Sequence, residues 1–150
     1  MISFIRTTSS NPDFEKLVVL LDRYLAILDG DDHAFYAQFN KSNLLKNAIV
    51  YYENNQPVAI GAYKEYDKET VEMKRMFTLP ECRGKGIGFK MLNELENWAK
   101  EEGYRNAVLE TRNLQKDAIH LYQKSGYEIT ENYGQYIGVE NSVCMKKKLK

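Results

Sequence analysis

The chain has 150 residues, 43% hydrophobic and 28% charged, a composition of one soluble-type domain with a single core and unlike that of disordered or membrane-spanning chains. Its 21 Lys and Arg balance its 21 Asp and Glu, so no overall field draws it to nucleic acid or an anionic membrane. Partners must be recognised locally.

Residues 2–7 read as a short strand. Asn11 can then cap a helix and Pro12 suits its first position, after which Phe14, Leu17, Val18, Leu21, Leu25 and Leu28 form one apolar stripe down to Gly30. Asp31 and Asp32 can open a second helix, acidic at its start as the helix dipole prefers, carrying Phe35, Tyr36 and Phe39 to about Asn43. Residues 48–53 and 58–66 are β-rich runs joined by the turn residues Asn54, Asn55, Gln56 and Pro57, which predicts a hairpin. Gly61 marks a bulge or a close approach. A second turn at Asp67, Lys68 and Glu69 leads to residues 70–78, where Val71, Met73 and Phe77 keep the period of a strand buried on one face. Three antiparallel strands thus follow one another as a meander.

Pro80 stops that ladder, and Arg83, Gly84, Lys85, Gly86, Ile87 and Gly88 lead into Met91, Leu92, Leu95 and Trp98 at helical spacing. A glycine-rich turn between a strand and a helix has chemical meaning. The first helical turn presents N–H groups without intrahelical partners, glycines let an anion approach them, and basic side chains add charge, so a diphosphate suits the loop. The spacing G-x-G-x-G is not the dinucleotide fingerprint, and no segment supplies a P-loop. After the helix, Glu102 and Gly103 end the segment. Residues 106–110 form a strand reached through a helix and hence parallel to the one before it, and two parallel strands that part leave a cleft. Residues 111–114 read as a loop, 115–125 as a helix stopped by Gly126, and 127–130 and 142–149 as closing strands around a Gly- and Tyr-rich loop at 133–138.

The pattern R-x-x-G-x-G at Arg83, Gly86 and Gly88, set behind its strand and before its helix, resembles the acyl-CoA pyrophosphate loop of the GNAT superfamily of N-acetyltransferases. The stretch 118–127, A-I-H-L-Y-Q-K-S-G-Y, is similar to the A-x-x-L-Y-x-x-x-G-[FY] segment near the end of GNAT domains. Together the matched motifs span about 71–128, and the N-terminal third agrees only in its order of elements. The competing reading is a plain turn whose glycines serve tight packing.

The resemblance implies a single α+β GNAT-like domain over 1–150, a mixed, mostly antiparallel twisted sheet with helices on both faces. It implies acetyl transfer from acetyl-CoA to a primary amine of a small molecule or peptide. The diphosphate would lie on Arg83, Gly84, Lys85, Gly86, Ile87 and Gly88, and the pantetheine amides on backbone near Met76 and Thr78. N–H groups near Phe77 would polarise the carbonyl. Gln115 stands where the family often has Asn, and can still hydrogen-bond a pantetheine amide. Tyr122 matches the tyrosine that protonates the departing thiolate in many members; otherwise it is a helix anchor in the core. Glu72, on the strand face opposite Met73 and shared with Lys74, is the candidate base, with Glu110 a weaker substitute; otherwise Glu72 and Lys74 make a cross-strand charge contact. A different class of function is a non-catalytic acyl-CoA-binding sensor or interaction module.

Cys82 and Cys144 are too few for a disulfide framework and lack zinc spacing, so reduced thiols are expected. His33 and His120 fall outside the matched positions, no cluster has ligand spacing, and no metal is expected. Tyr51, Tyr52, Tyr63, Tyr66, Tyr133 and Tyr136 suit sheet packing more than an acceptor site, and Lys146 to Lys150 a solvated strand end. No apolar run approaches the roughly 20 residues of a membrane span and the N-terminus lacks an apolar leader, so the expectation is a cytoplasmic protein, monomer or homodimer, with no membrane or nucleic-acid partner.

Overall fold

A computed structural model of the chain describes residues 1–40 and 44–149. The elements run β1 (Ile2–Thr7), α1 (Pro12–Asp29), α2 (His33–Asn40), β2 (Asn47–Glu53), β3 (Gln56–Asp67), β4 (Thr70–Thr78), α3 (Ile87–Glu101), β5 (Asn106–Arg112), α4 (Lys116–Lys124), β6 (Glu128–Thr130) and β7 (Ser142–Lys148). One seven-stranded sheet holds them in the order β1-β2-β3-β4-β5-β7-β6. Its pairs are antiparallel except β4 with β5, which is parallel as the intervening helix requires. The fold is the expected α+β arrangement.

Helices lie on both faces because the central strands β2 to β5 turn buried apolar residues to both sides. On one face Phe14, Leu17, Leu21 and Leu25 of α1 pack on Ala48, Val50, Ile60, Ala62 and Phe77. On the other, Ile87, Met91, Leu92, Leu95 and Ala99 of α3 pack on Ile49, Tyr51, Ala59, Val71, Met73 and Leu109. Each such fully buried aliphatic side chain contributes about 1.5–3 kcal/mol. Asn11 caps α1 as its position predicts, its Oδ1 accepting from the N–H groups of Asp13 and Phe14 at 2.9 and 3.2 Å.

Several boundaries differ from the sequence expectation for identifiable reasons. The first hairpin turns on Asn54 and Asn55 alone, both left-handed (φ 52° and 66°), so Gln56 and Pro57 belong to β3. Asp31 and Asp32 lie in a 3-10 turn, and α2 begins only at His33. The expected continuation to Asn43, and the side chain of Phe39, lie outside the described residues, as does Lys150. Strand β5 continues through Thr111 to Arg112 because β7 pairs with it as far as Ser142. Gln115 precedes α4 and is not its first residue. Tyr127 packs in the core outside β6.

Two features of β4 position the site. It pairs with β5 only from Thr70 to Glu72, after which the strands separate. Between the pairs Ile60 with Phe77 and Ala62 with Lys74, Gly61 stands opposite two residues, Arg75 and Met76, so β4 carries a bulge. Arg75 is left-handed (φ 59°) and its guanidinium pairs with Asp22 of α1 at 2.7 Å. Gly61 is a close approach as well: a Cβ there would stand 2.8–2.9 Å from Met76 Sδ, Leu95 Cδ1 and Met91 Cγ. Gly61→Val should therefore lower stability by about 1–3 kcal/mol, the range for overpacking, in a urea unfolding titration; an unchanged midpoint would show that the core gives way freely there.

Candidate active site

Beyond the bulge, the gap between β4 and β5 opens into a cleft of about 580 Å³. Met76, Phe77 and Thr78 line one wall, Arg83, Gly84, Gly86, Ile87 and Gly88 the head, and Gln115, Leu121 and Tyr122 the other wall. The glycine loop presents bare backbone to the cleft. Gly84 and Gly86 take left-handed φ of 82° and 79°, and a Cβ on either would meet nothing within 4 Å, so the backbone itself is presented. Gly86 caps α3 without a side chain, and the first turn of α3 holds no acid. Its N–H groups therefore remain available to a diphosphate. Gly88 serves another purpose, since a Cβ there would come 2.8 Å from Leu121 Cδ2 of α4.

Two predicted loop residues are used differently. Arg83 donates Nε–H to the Thr78 carbonyl at 3.0 Å, and its guanidinium lies 5.6 Å from the ring centres of Tyr24 and Phe77, so it braces the end of β4 while lining the cleft. Lys85 is not among the lining residues; its Nζ stands 3.9 Å from Glu53 Oε1 on β2. Gln115 does line the cleft, but its Oε1 accepts from Thr111 Oγ1 at 2.8 Å and from the Arg112 N–H at 3.1 Å. Only its amide N–H₂ is left to face a ligand. Cys82 is a buried part of the wall. His33 and His120 are exposed and line neither cavity.

A second, smaller chamber of about 80 Å³ lies on the α1 side of the β4–β5 gap and meets the cleft at Leu21, Met76, Gln115 and Tyr122. Its polar lining comes from alternate residues of two strands, Glu72 and Lys74 of β4 and Glu110 and Arg112 of β5. Glu72 is buried. Its Oε2 accepts from Tyr133 at 2.6 Å, while among the described residues Oε1 has only Lys64 at 3.7 Å and Lys74 at 3.9 Å. Glu110 is equally buried, but both its oxygens are used, one by Arg112 at 3.2 Å and one by Ser142 at 2.7 Å. Burial raises its pKa against the opposing charge of Arg112.

Tyr122 stands at the junction of cleft and chamber. Burial and then the charge of Glu110 push its pKa up, so the phenol keeps its proton at neutral pH. Among the described residues no hydrogen bond takes its hydroxyl, and its ring meets Tyr127 edge-on at 6.1 Å. Tyr133, expected as sheet packing, instead reaches across the loop to Glu72, and burial with that contact raises its pKa too. Tyr51 and Tyr63 are core residues as expected.

The network around Arg112 was not anticipated. Its guanidinium holds Asp29 in a two-pronged pair at 2.9 and 3.1 Å and lies 3.8 Å from the ring centre of Tyr36, whose hydroxyl is 2.8 Å from Ser142 Oγ. These contacts join the end of α1, α2, β5 and β7. One signal was available in the sequence: Asp29 continues the four-residue row Leu17, Leu21, Leu25, which places an acid on a buried face.

Comparison with known proteins accords with this geometry. The chain is 32% identical over 100 residues to the uncharacterized N-acetyltransferase YsnE of Bacillus subtilis, covering 65% of this chain and 66% of that one. It is 37% identical over 78 residues to the IAA acetyltransferase of Azospirillum brasilense, covering 52% and 51%. The matched stretches span between 29% and 66% of the curated relatives' own lengths. Among solved structures, a Klebsiella pneumoniae chain assigned as an acyl-CoA N-acyltransferase superposes with a TM-score of 0.83 at 26% identity, over 100% of this chain and 99% of that one. A GNAT family acetyltransferase from Elizabethkingia anophelis with acetyl-CoA bound shares the fold at 20% identity, with a TM-score of 0.69 over 99% and 98% of the two chains. The model of the acetyltransferase (GNAT) family matches residues 14–127, so the strand, loop and helix that build the cleft all fall within it, and the chain belongs to that family.

Proposed function

We propose that the protein transfers an acetyl group from acetyl-CoA to a primary amine of a small molecule or peptide. The observation that carries this reading is the meeting of two cavities at Tyr122, one headed by a bare helix N-terminus and the other lined by buried carboxylates. The family membership and the acetyl-CoA-bound relative support the choice of donor. A sensor would need the cleft but not an acid at its junction with a second chamber.

Acetyl-CoA supplies an acetyl group activated as a thioester. The chain's own groups do the rest. The Gly84 to Gly88 backbone and the first turn of α3 receive the diphosphate, and the β4 edge past Glu72, which β5 leaves free, receives the pantetheine amides near Met76 and Thr78. N–H groups near Phe77 polarise the carbonyl as it gains charge. Glu72 is the better base of the two carboxylates, because its Oε1 has no hydrogen bond whereas both Glu110 oxygens are taken. Glu72 removes the amine proton as the N–C bond forms, and Tyr122 gives its proton to sulfur as the C–S bond breaks. Proton exchange with solvent then returns both groups to their starting states.

Tyr122→Phe should keep the fold and the acetyl-CoA affinity while kcat falls by ~10²-fold or more with KM little changed. Steady-state rates with an acceptor found by following CoA release check this, and an unchanged kcat removes Tyr122 from the chemistry. Glu72→Gln should lower kcat/KM by ~10²-fold, and the loss should shrink as pH is raised and more amine enters neutral; a loss independent of pH would point to a packing role. Gly86→Asp adds a charge and a side chain at a left-handed position facing the diphosphate. It should weaken acetyl-CoA binding in calorimetry by ~2–4 kcal/mol, and normal binding would make the loop merely structural.

A further inference from the structure

The smaller chamber contains a cation that the protein does not itself satisfy. The side chain of Lys74 is only 15% exposed, yet the acid paired with it, Glu72 Oε1, stands 3.9 Å from Nζ, beyond hydrogen-bond reach. Among the described residues nothing else accepts from its three donors. Lys147 provides an internal comparison: at 24% exposure it is the less buried of the two, and it donates to Glu96 at 2.8 Å and to the Ser125 carbonyl at 2.7 Å. Arg112, also buried, spends three of its donors on Asp29 and Glu110. Buried ammonium groups are ordinarily paired and hydrogen-bonded. Among the described residues no fully buried side-chain nitrogen or oxygen lacks a partner, so the Lys74 Nζ, which has a loose ion pair and no hydrogen bond, is open to the chamber that it lines.

The surroundings restrict what could satisfy it. Glu72 and Glu110 both act on Lys74 electrostatically, and burial opposes its charge by lowering its pKa. Arg75 and Arg112 also line the chamber but are already paired with Asp22 and Asp29, so Lys74 is the cation left, and it is matched by a partner with one negative charge. The carboxylates in turn favour a cation next to it, and Glu72 is the group already assigned to the acceptor amine. Carboxylate and amine must therefore lie on neighbouring atoms of one molecule. The chamber's volume of about 80 Å³ has room for roughly five to eight water-sized atoms, at ~10–15 Å³ of such volume for each.

We infer that Lys74 receives the carboxylate of the acceptor, and that the acceptor is a small free α-amino acid whose amine faces Glu72 and the junction at Tyr122. This rests on the acetyl-transfer reading above for the role of the chamber. Lys74 is thus a specificity residue. It sorts acceptors by the group next to the amine and takes no part in moving protons.

The test compares L-alanine with L-alaninamide, which differ in charge but hardly in size. Two readouts are used: kcat/KM from CoA release, and calorimetric affinity for the CoA-loaded protein, which needs no turnover. The wild type should favour alanine at least tenfold, chiefly through KM, and Lys74→Met should bring the ratio within about threefold. Lys74→Arg should restore part of it, and Lys74→Gln provides a second neutral variant should Lys74→Met melt at a lower temperature. Equal use of the amide by wild type overturns the inference, as does a preference that survives Lys74→Met and Lys74→Gln. If alanine binds the CoA-loaded protein in a Lys74-dependent way but is not acetylated, the carboxylate site stands and acetyl transfer fails. If simple amines are acetylated while alanine neither binds nor reacts, acetyl transfer stands and the carboxylate site fails.

Discussion

The whole site depends on how early β4 releases β5. The two strands share only three residue pairs, and the bulge at Arg75 then turns β4 away, so one edge of a central strand becomes free inside the molecule. Such an edge would ordinarily be an unsatisfied row of backbone groups. A left-handed Arg costs on the order of 1–3 kcal/mol, and the arrangement persists because its surroundings leave no alternative. Asp22 pairs with the Arg75 guanidinium from α1, and Gly61 leaves the space that Met76, Met91 and Leu95 fill behind the bulge. Strain, cleft and core packing are three aspects of one local decision in the chain.

Both faces of the sheet are held by apolar packing, and toward α1 a buried charged network is added to it. Asp29, Arg112, Glu110, Ser142 and Tyr36 form a connected buried set among the described residues. Breaking one partner out of a buried pair costs about 3–5 kcal/mol, whereas replacing a whole set with apolar groups is often neutral, so its value here lies in geometry. It ties the end of α1 and the start of α2 over the β4–β5 gap, giving the smaller chamber a fixed roof and keeping Glu110 fully engaged.

Much of this was legible in the sequence, and the exceptions follow a pattern. The glycines at 84, 86 and 88 and the stop at Gly126 are local signals that appear in the structure as expected, but the single buried face expected for residues 70–78 does not: Val71 and Met73 pack toward α3, the bulge turns Phe77 toward α1, and Thr70 and Glu72 are buried as well. The β5 boundary was missed because Thr111 and Arg112 extend the strand only by virtue of β7, more than thirty residues on. Lys85 was drawn to the loop by its sequence position but turns to the half-buried Glu53, a partner that spacing cannot reveal. The cavity-facing role of Lys74 required knowing that Glu72 stops short of it, a matter of ångströms. Register and side-chain reach decide the acceptor side, while backbone conformation decides the donor side, and only the second is written in short motifs.

The contact between Gly88 and Leu121 carries a consequence for how this protein can change. Residue 88 lies in the first turn of α3 and residue 121 precedes Tyr122 on α4, and a single methyl at 88 would come 2.8 Å from the Leu121 side chain. The first turn of α3 and the helix that carries Tyr122 are therefore in steric register across the cleft. Enlarging position 88 requires the end of the Leu121 side chain to turn aside or to become smaller, so the two positions change as a pair.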